Sequence, residues 1–107
     1  MTYSAVIGVD PGLSGGIAII HSPDKVKTIH LPATEGDIDV TKIVNWIGWE
    51  LTPYSIMEKR VKAIAYIEAV HAMPGQGVSS VFKFGYVTGI LHGVIRALEI
   101  PLKLVTP

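Results

Sequence analysis

Two carboxylates stand out by the residues around them. Asp10 closes a short aliphatic run containing Val6, Ile7 and Val9, and it opens the turn Pro11-Gly12-Leu13-Ser14-Gly15-Gly16. Glu68 lies near the end of AIAYIEAV (63–70), a segment otherwise free of charge. If the strands that carry them are parallel neighbours, both acids emerge at one edge of a sheet. Carboxylates that close repel each other, and a shared cation relieves the repulsion. Mg²⁺ suits the role because it takes oxygens from one or two carboxylates together with phosphate oxygens. In a two-metal site such a pair clamps the attacking water and the leaving oxygen of a phosphodiester. Each acid also has a plainer reading. Asp10 can simply begin an Asp-Pro-Gly turn, and Glu68 can be a buried acid paired with a base, although an apolar strand is a costly place for an unpaired carboxylate.

Weaker signals surround this pair. The turn DPGLSGG could cradle a phosphate on backbone N–H groups, yet hairpins use the same residues for geometry alone. His71 could act on a proton or touch phosphate, or be an exposed loop residue. Gln76, Ser79, Ser80 and Lys83 lie where a helix should begin, a place that receives phosphate or is merely capped. Gly85, Gly89 and Gly93 recur every four residues, on one face of that helix. Each glycine inside a helix costs roughly 1 kcal/mol against alanine, so the stripe implies close approach by another backbone, either this chain's own sheet or a second copy. Phe82, Phe84, Val87, Leu91, Val94, Ile95 and Leu98 make the helix more apolar than a one-sided surface helix, which favours the second copy. Trp46 and Trp49 suggest base stacking or edge packing, and Glu58-Lys59-Arg60-Val61-Lys62 a solvated turn.

The elements that must position these residues follow from periodicity. Residues 3–10 read as a strand buried on both faces, 17–21 as its antiparallel partner and 26–31 as a third strand after the Ser22-Pro23-Asp24 turn. Asp37-Ile38-Asp39 offers N-caps for a helix whose stripe is Val40, Ile43, Val44, Ile47 and Leu51, with Pro53 as its stop. A fourth, central strand spans 63–70. A second helix, capped by Ser79 or Ser80, runs to about Glu99, and residues 102–105 form a last strand. Strands alternating with helices late in the chain imply a parallel part of the sheet. The expected architecture is a five-stranded mixed α/β sheet in the order 3-2-1-4-5, with strands two and three antiparallel to the rest.

Composition bounds the reading. The 107 residues make one domain, 1–107, and 49% apolar with 17% charged residues is the balance of a chain that folds. Nine basic and nine acidic residues leave no net charge, so DNA would have to be held by a local basic face. No cysteine is present, which excludes disulfides, zinc ribbons and thiol nucleophiles. The apolar run 15–20 is too short to cross a bilayer, and the first ten residues lack a signal peptide's pattern. A soluble, cytoplasmic protein without a membrane partner is the expectation.

Taken together, GVDPGLSGGIAII, AYIEAVHAMPGQGVSSVFKFG and the closing IPLKLVTP resemble the small RuvC-type Holliday junction resolvases of bacteria and phages, over nearly the whole chain. The resemblance implies a ribonuclease H-like fold, a homodimer, and a hydrolase of DNA recombination and repair. That enzyme would use Mg²⁺, with Mn²⁺ as substitute, to nick opposed strands of four-way junctions. Asp10 is similar to the family's first-strand acid and Glu68 to its fourth-strand acid, which makes both catalytic metal ligands by resemblance. Gln76, Ser79, Ser80, Phe82 and Lys83 fall near the junction, and Gly85, Gly89 and Gly93 at the dimer contact. The family's remaining acids come from a further helix after the last strand. The sequence given ends at Pro107 without one, and the acid Glu99 stands at the wrong end of its helix, so half a metal site and impaired cleavage are expected. Two alternatives stand beside this one: a dimeric module that binds junctions without cutting, and a fragment of an actin-like kinase or ATPase, whose folds share the opening hairpin.

Overall fold

β-Branched residues alternating with small ones form the first half of the chain, and helical periodicity takes over at residue 40. The computed structural model describes residues 4–12, 14–57, 62–69, 75 and 77–106. β1 (Ala5–Asp10), β2 (Gly16–Ser22) and β3 (Lys25–His30) make a meander, with Ile7 opposite Ile19 and Ile19 opposite Lys27. The β1–β2 turn is closed by the Gly15 N–H donating to the Gly12 carbonyl at 2.9 Å. A side chain at Gly15 would overlap the carbonyl oxygens of Asp10 and Gly12, and one at Gly16 would come within 2.7 Å of the Ile29 carbonyl oxygen. Both glycines are therefore demanded by the hairpin itself.

A two-residue pair not foreseen from the sequence follows, β4 (Ala33–Thr34) with β5 (Asp37–Ile38). Its turn places both Glu35 (φ 54) and Gly36 (φ 79) at positive φ, the conformation a tight hairpin of this length requires. α1 (Val40–Met57), β6 (Ala63–Glu68), α2 (Val78–Ala97) and β7 (Leu102–Val105) complete the chain. Asp39 caps α1, its Oδ1 accepting the Lys42 N–H at 3.0 Å while Oδ2 accepts the Thr34 hydroxyl at 2.6 Å. At the far end of α2, Glu99 turns left-handed (φ 60) and the Ile100 N–H returns to the Ile95 carbonyl at 3.2 Å. This closure tucks Ile100 into the core, as an apolar residue after a helix often does.

The main sheet has the order β3-β2-β1-β6-β7, with β6 parallel to β1 and β7 parallel to β6. With the small hairpin set aside this is the expected 3-2-1-4-5. The sense of the third strand needs correcting. β3 is antiparallel to β2, which is antiparallel to β1, so β3 runs parallel to β1 and only β2 opposes the rest. A meander reverses at every turn and cannot do otherwise.

Both helices lie on one face. Ala5, Ile7, Val9, Ile17, Ile19, Ala63, Ala65 and Ile67 are buried there beneath Ile43, Ile47 and Leu51 of α1 and Leu91, Val94 and Ile95 of α2. β1 is thus buried on one face rather than two, since Val6 and Gly8 are half-buried and Asp10 is exposed. Ile64 is buried on the other face, apart from this cluster. Pro53 does not stop α1, which continues to Met57. A proline forfeits one backbone bond, and just upstream the Thr52 hydroxyl donates to the Gly48 carbonyl at 2.7 Å. The N-cap of α2 is Gly77, with no side-chain bond, so neither Ser79 nor Ser80 caps it.

Candidate metal and nucleic-acid site

Register brings the two sequence-predicted acids together. β1 and β6 pair in parallel through Val9 opposite Ile67, and one residue further along the two strands stand Asp10 and Glu68. Adjacent strands lie about 4.8 Å apart, and both acids fall on the face away from the helices, because Val9 and Ile67 occupy the other. Both are exposed. Glu68 is therefore not a buried acid with a basic partner. One oxygen of Asp10, Oδ1, accepts the Gly12 N–H at 3.0 Å, which orients the carboxylate and takes up an N–H of the glycine-rich turn. Two aligned carboxylates with open space beside them fit a hard divalent cation such as Mg²⁺. Among the described residues, no group of three or more acids and histidines is gathered for a metal.

The same strand-end row continues across the sheet. Asp10 is paired with Gly16, Gly16 with His30, and Glu68 with Val105. Behind the row an open groove of about 520 Å³ runs along the face away from the two helices. Gly8, Gly16 and Ala18 form its floor, Thr28 and His30 one wall, and Tyr66 and Val105 the other, with Asp10 and Ser14 at its end. Sequence reasoning passed over Gly8, Thr28, His30 and Tyr66. A glycine inside a strand was the available signal, since such glycines often mark close approach by a ligand or another backbone.

The helix residues foreseen as DNA contacts fall on a different surface. Ser79, Ser80 and Lys83 are exposed in the first turns of α2, and Phe82 is 74% exposed. Lys83 lines a second cavity of about 160 Å³ together with Pro11, Gly12, Asp37 and Phe84. A basic side chain thus stands on the far side of the turn that orients Asp10. Gln76 and His71 lie outside the described residues, as do residues 58–61 of the charged cluster. Trp46 packs against the core, whereas Trp49 is exposed on α1.

The glycine stripe of α2 does not face the sheet. Gly85, Gly89 and Gly93 are all exposed, and a Cβ at any of them would meet nothing within 4 Å. With Val78, Phe82 and Tyr86 they form a small and apolar outward face opposite Leu91, Val94 and Ile95. By length and composition alone α2 is apolar enough to cross a membrane, but its most apolar side is taken up by the core. Tyr86 is tethered, its hydroxyl donating to Asp37 Oδ2 at 3.2 Å. That bond, with the repulsion between a phenolate and the Asp37 carboxylate, raises the Tyr86 pKa above its ordinary value. The Thr34 hydroxyl and the Lys42 N–H hold the Asp39 carboxyl below its own.

No protein-family model and no curated sequence matches the chain. Solved structures do. Against Thermus thermophilus RuvC in complex with Holliday junction substrate, 98% of this chain superposes with a TM-score of 0.56 at 13% identity. The fold is RuvC-like. A further Thermus thermophilus RuvC structure matches at TM-score 0.47 and 15% identity over 96% of this chain. The chain spans 66% of the first RuvC's length and 64% of the second's, just under two thirds of each. At this identity the likeness is one of fold, the ribonuclease H-like sheet with its strand order, and the acids rest on the register described above.

Proposed function

We propose that this chain is a branched-DNA-binding protein of the resolvase kind, with Asp10 and Glu68 holding Mg²⁺ or Mn²⁺ for hydrolysis of a phosphodiester in a four-way junction. The single observation that carries the reading is the alignment of these two acids on adjacent parallel strands of a RuvC-like sheet. A bound cation would polarise a phosphoryl oxygen and lower the pKa of a coordinated water. The chain's own part is orientation. The Gly12 N–H fixes Asp10, β6 sets Glu68 beside it, and the uncapped first turn of α2 with Lys83 offers donors to flanking phosphates.

The outward face of α2 supports a homodimer. Among the described residues its glycines answer to no contact, and a facing copy of the same helix would be a natural partner. A second reading, junction binding without cutting, rests on α2, because contacts from its exposed first turn and Lys83 do not depend on the two acids.

A gel-shift comparison of a four-way junction with linear duplex of the same sequence tests both readings. Preference for the junction, retained in Glu68→Gln, is the expected result, and equal affinity for the two DNAs retires the proposal. Paired nicking with Mg²⁺ that Glu68→Gln abolishes selects the nuclease, and its absence selects the binding module.

A further inference from the structure

The β4–β5 hairpin has little of its own to hold it in place. Each strand is two residues long, and of residues 33–38 only Ile38 packs against the core. Its turn keeps a non-glycine residue, Glu35, at φ 54, in the left-handed region that L side chains disfavour. A two-stranded hairpin is at best marginally stable alone. This one must be seated by what it touches.

It is tied at its base and at its tip. At the base the Leu31 N–H donates to the Gly15 carbonyl at 3.1 Å, and the Asp39 N–H closes back on the Pro32 carbonyl at 2.8 Å. At the tip the Tyr86 hydroxyl donates to Asp37 Oδ2, a bond between residues 49 apart in sequence. The other oxygen of Asp37 accepts the Ile38 N–H at 2.8 Å, so the carboxylate is held on both sides. The hairpin also stands between two parts of the proposed site. Asp37 and Ile38 form one wall of the 160 Å³ cavity, Pro11 and Gly12 a second, and Lys83 and Phe84 a third. Gly12 is the residue whose N–H orients Asp10. Tyr86 lies three residues beyond Lys83, on the same stretch of α2.

We infer that the β4–β5 hairpin is a spacer that sets the distance between the Asp10 turn and the Lys83 end of α2, latched by the Tyr86–Asp37 hydrogen bond. This rests on the reading of Asp10 and Lys83 given above. Tyr86 is a positioning residue, which acts through Asp37 and touches neither cation nor DNA.

The test compares Tyr86→Phe with Asp37→Asn in the full chain. Phenylalanine removes the donor and keeps the ring, so any packing on the outward face of α2 is preserved. Asparagine keeps an acceptor oxygen and serves as the conservative control. In Tyr86→Phe the Leu31 and Asp39 amides exchange about fivefold faster, the scale of one ordinary hydrogen bond, and the Gly12 amide resonance moves. The Ala65 amide in the central sheet keeps its rate, and Asp37→Asn behaves as the wild type throughout. Four-way junction affinity in Ca²⁺ falls about two- to fivefold in Tyr86→Phe, because only the latched fraction presents both groups together. Unchanged exchange at Leu31 and Asp39 overturns the latch. Faster exchange with wild-type junction affinity overturns the spacer. If the wild type shows no junction preference, the proposed function is retired, and the Gly12 resonance of Tyr86→Phe then upholds the spacer by moving or overturns it by staying. Junction preference with all these amides unmoved keeps the function and removes this inference.

Discussion

The sheet's two faces share strands and almost share composition, yet they are finished differently. On one, Ile7, Ile19 and Ile67 are sealed beneath α1 and α2. On the other, one residue along the same strands, Gly8, Ala18 and Tyr66 border an open groove that ends at the exposed Asp10. Apolar residues occur on both, since Ile20 and Val26 remain well exposed on the open side. What separates the faces is whether residue size matches a neighbour. Where the strands meet the helices the positions are apolar and buried, from Ala63 and Ala65 to Ile7 and Ile67, and on the other face small residues and charge stand exposed or half-buried. The same contrast recurs on α2, between Leu91 and Ile95 inward and Gly85, Gly89 and Gly93 outward.

The largest expected effect breaks the comparison if it fails. Ile7→Ala or Ile19→Ala should cost about 2–5 kcal/mol, because each empties a fully buried site. Ile20→Ala and Val26→Ala on the open face should stay within about 1 kcal/mol. Urea midpoints for the four variants decide it, and equal losses on both faces would mean the open face is packed after all.

The acids sharpen the contrast next. A site that binds a ligand only in the folded state stabilises it by mass action, about 2.7 kcal/mol at a hundredfold excess over Kd. Mn²⁺ should therefore raise the thermal midpoint of the wild type and leave Glu68→Gln unmoved. Without metal, Glu68→Gln should be no less stable than the wild type, since it removes repulsion and no bond the structure records. A variant destabilised in the absence of metal would make Glu68 part of the fold.

On α2 the expected effect is smaller. A Cβ at Gly89 meets nothing within 4 Å among the described residues, so Gly89→Leu should leave the monomer intact or slightly firmer, as leucine is the better helix former. A self-associating helix pair, however, cannot close over the added side chain. Light scattering should show dimer in the wild type and a dissociation constant at least about tenfold weaker in the variant, some 1.4 kcal/mol. A wild type that remains monomeric at high concentration removes the dimer.

Strand order and the meeting of Asp10 with Glu68 were legible in the sequence because each rests on a local signal. Asp-Pro-Gly ends a strand, an isolated carboxylate marks the end of another, and few topologies join a meander to later crossovers. The finish of the two faces was not legible. Val6, Ile7 and Val9 read as one apolar cluster, and only the packing of both helices on a single side shows that the half-buried Val6 belongs to the opposite face. Pro53 reads as a stop because the pattern cannot show one lost bond being tolerated inside an 18-residue helix. Ser79 and Ser80 read as caps because serine favours that position, whereas Gly77 holds it through backbone geometry alone. Gly8 went unremarked between Ile7 and Val9, because the face it occupies can be seen only in three dimensions.

The smallest effect lies where the covered face is buttoned at its edge. Asp39 joins the β4–β5 hairpin to α1, accepting the Thr34 hydroxyl on one oxygen and the Lys42 N–H on the other. Both bonds favour the carboxylate, the Thr34 bond more strongly, so the folded pKa lies below the ordinary 3.8. A group depressed in this way adds stability that is fully present above its unfolded value and is lost as pH falls through the folded one. Acid unfolding of the wild type should therefore include a loss that sets in near 3.8 and completes below it. Thr34→Ala should raise the Asp39 pKa toward its ordinary value and shrink that loss. Asp39→Asn should keep much of the cap, because asparagine still accepts an N–H, and should remove this pH dependence altogether. NMR titration of the Asp39 carboxyl in the wild type and Thr34→Ala reads the shift directly. An unchanged pKa on removing the threonine hydroxyl would assign the depression to the α1 terminus alone, and the hairpin would then border the covered face without helping to hold it.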